Sequence, residues 1–137
     1  MLYYTIFQAC PLGWINIYIS CNQLVAKREG YLESINTCRV LGGRLAIVSS
    51  EAEMRAIQQH MKDVNLLKVI AWVDGTDAAK EGVWLTEGGN PLPYRGFTGR
   101  NPDGGERENC IGVNPRAVLD IVCTESGLVS LSICELI

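Results

Sequence analysis

The sequence predicts an α+β fold in a single domain that spans residues 1–137. A length of 137 residues is sufficient to bury a hydrophobic core. Hydrophobic residues make up 47% of the chain and charged residues 20%, which is typical of a globular protein. Two segments have the periodicity of amphipathic helices, and several short segments have the pattern of strands. Separate runs of helix and strand, joined by one long loop, favour the α+β class.

The first predicted strand and the first predicted helix lie in the N-terminal third of the chain. Residues 14–20 (WINIYIS) alternate bulky and polar side chains, and residues 5–7 (TIF) are a candidate partner strand. Residues 30–43 (GYLESINTCRVLGG) are predicted to be helical, because Leu32, Ile35 and Cys38 recur at helical spacing and two glycines follow.

The second predicted helix lies in residues 49–64 (SSEAEMRAIQQHMKDV). Ser50 is followed three positions later by Glu53, which is the pattern of a capping box. Met54, Ile57 and Met61 fall on one side of this helix, so we expect that side to face the core.

Short strands are predicted on both sides of a long loop. Residues 86–109 show no periodicity and contain repeated glycine and proline. Loops of this length in a compact domain are usually functional or disordered. The other predicted strands are residues 44–49, 66–73, 82–85, 111–115, 119–123 and 130–137.

The six cysteines favour an exported protein. No C-x-x-C pair occurs and His60 is the only histidine, so a metal site built from these cysteines is not expected. Three disulfides formed in an oxidising compartment are the preferred interpretation, and a cytosolic protein with six thiols is the alternative. The spacing of the cysteines leaves their connectivity open.

Charge and hydropathy exclude several classes of partner. The formal net charge is −3 and no Lys/Arg cluster occurs, which disfavours binding to nucleic acid. No apolar run approaches the roughly 18 residues of a membrane span. The opening residues MLYYTIFQA lack the basic start and the cleavage site of a signal peptide, so a mature form is expected if the protein is exported.

A series of short motifs occurs in a characteristic order from Cys10 to Leu136. The motifs are Cys10-Pro11 with Trp14, Cys21, Cys38, GGRLAIVSSEAE, AWVDGTD with EGVW, NPD, ENC, LDIVC and ICEL. This ordered set resembles a C-type lectin-like domain of the long, secreted form. The resemblance implies two helices flanking short antiparallel strands and a long calcium-binding loop, with Trp72 and Trp84 in the core. It also implies the disulfides Cys10–Cys21, Cys38–Cys134 and Cys110–Cys123.

The long loop ends in the polar stretch GRNPDGGERENC, residues 99–110. Sugar-binding members of the family carry here a polar residue, a cis-proline and a second polar residue, then a glutamate before the next cysteine. An Asn-Asp pair on the following strand completes a site for one Ca²⁺ ion, and two sugar hydroxyls bind the same ion. The resemblance therefore implies that Asn101, Asp103, Glu108 and Asp120 bind calcium and carbohydrate, with Pro102 fixing the backbone.

The chemistry of these side chains suits calcium. Calcium is a hard cation that binds about six to eight oxygen atoms, and carboxylate and amide oxygens supply them. Three carboxylates brought close together would be costly without a cation. The alternative is a solvated turn, because N-P-D-G-G is also a strong turn sequence.

Two departures from the family pattern affect the expected ligand. Leu119 occupies the position of the asparagine in the Asn-Asp pair, and Val118 the position of the tryptophan before it. Loss of the asparagine removes a hydrogen bond worth about 1–3 kcal/mol. The NPD triplet is closer to galactose-type QPD than to mannose-type EPN, so galactose is slightly favoured. Tyr94 and Phe97 are the candidates for the aromatic ring that galactose sites usually contain.

Other expectations concern a second ion and the class of function. Asp77 and Glu81 match positions that hold an auxiliary calcium ion in some relatives. The alternative is that Asp77 caps a loop and Glu81 is a solvated acid.

The resemblance implies a secreted, extracellular lectin that recognises glycans or glycoproteins, as in innate immunity. The rival is a module of the same fold that binds a protein or another surface without calcium. An enzyme is not expected, since His60 lies among polar helix residues and no carboxylate pair can be assigned. The oligomeric state stays open.

Overall fold

The structure, a computed structural model, describes residues 9–99, 101–102 and 105–136. In these ranges the chain forms two helices and a seven-stranded sheet. The helices are α1 (Tyr31–Val40) and α2 (Glu51–Asp63). The strands are β1 (Ile15–Ile17), β2 (Ser20–Ala26), β3 (Arg44–Leu45), β4 (Ile70–Thr76), β5 (Cys110–Val113), β6 (Val118–Ile121) and β7 (Val129–Glu135).

The sheet combines antiparallel and parallel pairing. The strand order is β1-β2-β7-β4-β5-β6, and β3 pairs with β7 beside this path. All neighbours are antiparallel except β4 and β7, which run parallel. The α+β class is therefore confirmed, and the expectation of antiparallel strands is wrong for this one pair. Parallel strands require a long crossover connection, and the chain between β4 and β7 supplies it.

The predicted strand at residues 14–20 is a hairpin. β1 ends at Ile17, and Ile17 pairs with Ser20 of β2 across a turn formed by Tyr18 and Ile19. Tyr18 has a φ of 57°, which reverses the chain and ends the strand. The candidate partner strand at residues 5–7 lies outside the described residues.

Both helices are confirmed, with one difference in α1. Ile35 and Cys38 are buried as predicted, but Leu32 is exposed and Tyr31 takes the buried position instead. Gly42 follows the helix with a φ of +93°, a conformation that favours glycine at a helix end.

Helix α2 begins with the predicted capping box. Ser50 Oγ accepts a hydrogen bond of 3.1 Å from Glu53 N–H, and a Glu53 carboxylate oxygen accepts one of 2.8 Å from Ser49 N–H. Met54, Ile57 and Met61 are buried, which confirms the predicted core face.

Several predicted strands differ in extent. β3 is two residues long. β4 begins at Ile70, after the turn that follows α2, in which Asn65 has a φ of 64°. The strand predicted at residues 82–85 does not form. Leu85 makes only isolated bridges to Thr76 and Pro91, because the preceding residues turn at Gly82 with a φ of +83°.

The core contains two clusters of buried side chains, one on each side of the sheet's central strands. The buried positions of Trp72 and Trp84 confirm that both are core residues. The three disulfides form with the implied pairing: Cys10–Cys21 between the segment before β1 and the start of β2, Cys38–Cys134 between α1 and β7, and Cys110–Cys123 between the start of β5 and the segment after β6.

Candidate functional site

One side of the candidate site is built from strand β6. Asp120 lies opposite Ile111 of β5, and its side chain is only 4% exposed. Val118, at the start of β6, is buried in the core. Leu119 between them is half-buried and packs against the cluster that contains Trp72. The two residues that depart from the family pattern are therefore used for packing.

The other side of the site is built from the long loop. Asn101 is half-buried, and the peptide bond between Asn101 and Pro102 is cis, as the resemblance implies. Thr98 O accepts two hydrogen bonds from Asn101, one of 3.1 Å from its N–H and one of 2.8 Å from Nδ2. Because Nδ2 donates to the backbone, Oδ1 is the side-chain atom of Asn101 that can bind a cation.

Two hydrogen bonds join the loop to β6. Thr98 N–H donates to Val118 O at 3.1 Å, and Val118 N–H donates to Thr98 Oγ1 at 2.9 Å. Thr98 also holds Asn101, so these bonds place the turn at Asn101 beside β6, two residues before Asp120. The loop and β6 are thus adjacent, joined between residues 20 positions apart in sequence, and they are the two walls of the candidate site.

Glu108 lies in a third segment, just before β5. It is half-buried and lies two residues before Cys110, whose disulfide to Cys123 joins the start of β5 to the segment after β6. Asp103 lies outside the described residues. The described ranges contain no group of three or more His, Cys, Asp or Glu side chains that could hold a metal ion, and they include Glu108 and Asp120. The four-residue ligand set stays a prediction.

A pocket of about 350 Å³ lies between the segment that follows β4 and the end of the long loop, at the candidate auxiliary position. Asp77, Glu81 and Asn109 line it. Asp77 is 2% exposed, and its Oδ2 accepts a hydrogen bond of 2.9 Å from Gly82 N–H, so this side chain does cap the loop. Its Oδ1 is buried and has no hydrogen-bond partner among the described residues. A buried carboxylate oxygen without a partner is costly, and a cation in the pocket would stabilise it.

Asp74, which the sequence pattern did not assign to the site, anchors the long loop near its beginning. Tyr31 Oη–H donates to Asp74 Oδ1 at 2.6 Å, and Glu87 N–H donates to both carboxylate oxygens at 3.0 and 3.1 Å. Burial raises the pKa of Asp74 above its ordinary value. Burial, followed by the hydrogen bond to Asp74, also raises the pKa of Tyr31. The sequence signal for this role was the position of Asp74, an acidic residue in the otherwise apolar stretch AWVDG.

The two aromatic side chains considered for the sugar both contact the core. The ring centroids of Phe97 and Trp84 are 4.9 Å apart, and Tyr94 packs against the same cluster. Both rings are half-buried, so their positions are determined mainly by core packing. His60 is half-buried in the last turn of α2.

The family model of the lectin C-type domain matches residues 27–136 of the chain. The protein belongs to the C-type lectin domain family. Among solved structures, this lectin domain is similar to the mouse scavenger receptor C-type lectin carbohydrate-recognition domain, with a TM-score of 0.76, 25% identity, and coverage of 92% of this chain and 94% of that one. It is also similar to a calcium-independent type II antifreeze protein, with a TM-score of 0.74, 25% identity and coverage of 93% of each chain.

Curated relatives include lectins and receptors. The lectin domain is 29% identical over 103 residues to perlucin from Haliotis laevigata, covering 74% of this chain and 66% of perlucin. It is 26% identical over 95 residues to the galactose-specific lectin nattectin from Thalassophryne nattereri, covering 69% of this chain and 60% of nattectin. Against the mouse low affinity immunoglobulin epsilon Fc receptor, the match is 25% identical and covers 74% of this chain but 30% of the receptor. The chain thus spans between about a third and two thirds of the length of these relatives.

Within the described residues, neither helix has the length and apolar composition needed to cross a membrane.

Proposed function

We propose that this C-type lectin domain binds carbohydrate reversibly through calcium, with Asn101, Asp103, Glu108 and Asp120 as the ligand set. The observation that supports the proposal is the pair of hydrogen bonds between Thr98 and Val118. These bonds bring a loop that carries an amide ligand against a strand that carries a carboxylate. An oxygen-rich site assembled from separate segments is what calcium requires.

Each ligand has a distinct role in the proposed site. The bound ion would accept two neighbouring sugar hydroxyls into its coordination shell. Asp120, which is buried in β6, provides a fixed negative charge. Asn101 Oδ1 and Glu108 approach from the loop, and ligand atoms that do not touch the ion can hydrogen-bond the sugar. The geometry of these donors and acceptors then selects the orientation of the hydroxyls.

The pocket at Asp77 is the proposed auxiliary calcium site. Its orphaned buried oxygen and the nearby Glu81 carboxylate are hard oxygen donors of the type calcium prefers. An ion there would hold the start of the loop to the segment before β5, because Asp77 N–H already donates to Asn109 O at 3.1 Å.

Galactose is the first sugar to test. The NPD triplet is closer to the galactose-type pattern, and the relative nattectin is named a galactose-specific lectin. The core contacts of Tyr94 and Phe97 weaken this preference, because their rings are partly covered. Mannose is therefore the matched comparison sugar.

The proposed setting is extracellular, and the proposed partners are glycans or glycoproteins, including those of microbial surfaces that innate immunity recognises. Three disulfides support export, since they persist in oxidising compartments. The family is generally non-enzymatic, and binding without chemistry is the proposed activity.

Two observations favour a second candidate, a protein or surface ligand bound without calcium. Leu119 stands where a sugar-binding asparagine is expected, and it packs against the core. The fold is also shared with an antifreeze protein described as calcium-independent. This candidate predicts binding that survives chelation of calcium.

The test is calorimetric titration of Ca²⁺ into EDTA-stripped protein, without sugar and with galactose or mannose present. The proposal expects calcium binding that one sugar tightens. Calcium binding without a sugar effect would reject recognition of simple sugars, and no calcium binding would reject the ligand set and favour the second candidate.

The variant Leu119→Asn separates the two candidates further. If the missing amide limits affinity, the variant should bind the sugar more tightly by about 1–3 kcal/mol, the value of one polar hydrogen bond. Leu119→Ala is the matched control, because it removes the same core contacts without adding an amide. An equal response of both variants would show that packing, not the amide, controls the site.

A further inference from the structure

The N-terminal part of the chain carries no charged side chain. The first 26 residues contain no Asp, Glu, Lys, Arg or His, and Lys27 is the first side chain that is charged at neutral pH. All 12 Lys and Arg residues and all 15 Asp and Glu residues therefore lie in residues 27–137. Protein surfaces normally mix charges of both signs, so the hairpin in this region has an unusual surface.

The β1–β2 hairpin exposes large apolar side chains. Leu12 is fully exposed before β1, and Ile15 on β1 is 39% exposed. At the tip, Tyr18 is 50% and Ile19 81% exposed. Two-residue hairpin turns usually contain Gly, Asn or Asp, which tolerate positive φ, yet Tyr18 occupies such a position with a φ of 57°. Local turn chemistry does not account for apolar residues at this tip, whereas a contact surface does.

Strand β1 is also an open edge of the sheet. Among the described strands, β2 is the only one that pairs with it. Because Ile17 and Ser20 flank the two-residue turn, the N–H and C=O of Asn16 point away from β2. Exposed edges are usually protected by charged side chains, and β1 has none.

We infer that the hairpin is a self-association surface, at which β1 pairs antiparallel with β1 of a second copy. A twofold axis beside Asn16 allows its N–H and C=O to bond to those of its symmetry mate, and it sets Ile15 opposite Ile17. At a twofold interface a residue near the axis lies close to its own copy, so a charged side chain there would meet a like charge. The uncharged hairpin avoids this repulsion, which is why a second copy matches it.

The Cys10–Cys21 disulfide supports this role because it ties the segment before β1 to β2 opposite Asn16, which restrains the hairpin before association. The inference does not depend on the proposed function. If both hold, a dimer would present two carbohydrate sites, and binding to a multivalent glycan surface would gain avidity.

The test is sedimentation equilibrium of the full chain over a range of concentrations, in EDTA and in calcium. A dimer of twice 15.1 kDa is expected under both conditions. Ile15→Lys places like charges on the same face close to the axis, and Asn16→Pro removes the outward N–H, a change that an edge strand tolerates. Each variant should raise the dimer dissociation constant by at least about tenfold. Leu32→Lys, at an exposed apolar position on α1, is the matched control and should remain dimeric.

Three results would overturn the inference. One is a native protein that stays monomeric up to millimolar concentration. Another is a Leu32→Lys variant that dissociates as readily as Ile15→Lys. The third is a native protein that is monomeric and whose melting temperature is lowered by Ile6→Lys. That result would mean that residues 1–8 of the same chain cover the edge of β1. A thiol assay that finds no free cysteine, together with cooperative melting, verifies that each variant is folded.

Discussion

Among the described residues, the strand side and the loop side of the candidate calcium site are held by different kinds of interaction. Asp120 lies in β6, which is paired with β5 at four positions and tied to it by the Cys110–Cys123 disulfide. Asn101 is held by two hydrogen bonds to one carbonyl, and the loop that carries it is joined to β6 by two more. The sheet therefore supplies a fixed wall, and the loop supplies a wall whose position depends on a few polar contacts.

This difference separates the stability of the fold from the affinity of the site. Interactions deep in the sheet should control unfolding and leave calcium affinity unchanged. Interactions of the loop should control calcium affinity and change unfolding little.

The largest expected effect is on the fold alone. Replacing Cys38 and Cys134 with alanine opens a link between residues 96 positions apart, and it should lower the free energy of unfolding by about 4–5 kcal/mol. Calcium affinity of the folded variant should not change, because the bond lies between α1 and β7. Guanidinium denaturation and calcium titration measure the two quantities. A large loss of calcium affinity in the folded variant would contradict the separation.

The next effect tests both walls of the site. Glu108→Gln and Asp120→Asn each remove a proposed charged ligand, so each should weaken calcium binding by at least about tenfold. Calorimetric titration measures the change. Glu51→Gln, on the exposed surface of α2, is the control and should bind calcium like the native protein. If Asp120→Asn binds normally while Glu108→Gln does not, then the strand side is not part of the site.

A smaller effect tests the connection between the walls. Thr98→Val keeps the shape of the side chain but removes the hydroxyl that accepts from Val118 N–H. The loss of one hydrogen bond should cost about 1 kcal/mol, which is about fivefold if it falls on calcium affinity. Thr98→Ser keeps the hydroxyl and should restore the affinity. If Thr98→Val lowers the melting temperature but not the calcium affinity, the loop is not the adjustable wall.

The smallest effect is a change in the pH dependence of stability. Burial raises the pKa of Asp74 above its ordinary value of 3.8, so the folded state binds this proton more tightly than the unfolded state. The stabilising contribution is fully present at pH below 3.8 and is lost as the pH rises through the raised pKa. Asp74→Asn should remove this dependence. The difference in unfolding free energy between native protein and variant, measured from about pH 3 to pH 7, checks it. A difference that does not vary with pH would contradict the assignment.

The residues that sequence patterns predicted well are those whose structure depends on near neighbours. The capping box of Ser50 and Glu53 involves residues three apart, and helix α2 formed as expected. The position of the turn at Tyr18 and Ile19 was not predicted from the pattern of residues 14–20, because large apolar residues carry no turn signal. Leu85 matches a strand pattern but forms only isolated bridges, because no regular partner strand lies beside it.

The sequence by itself determined the two helices, the six cysteines, and the polar loop stretch that contains Asn101 and Glu108. Only the tertiary structure decided that β4 runs parallel to β7, that Asp74 anchors the loop, and that Thr98 holds the loop against β6. The physical reason is the range of the interactions. Helix caps and periodicity act over a few residues, whereas the Tyr31–Asp74 hydrogen bond joins residues 43 apart and exists only after the chain has folded.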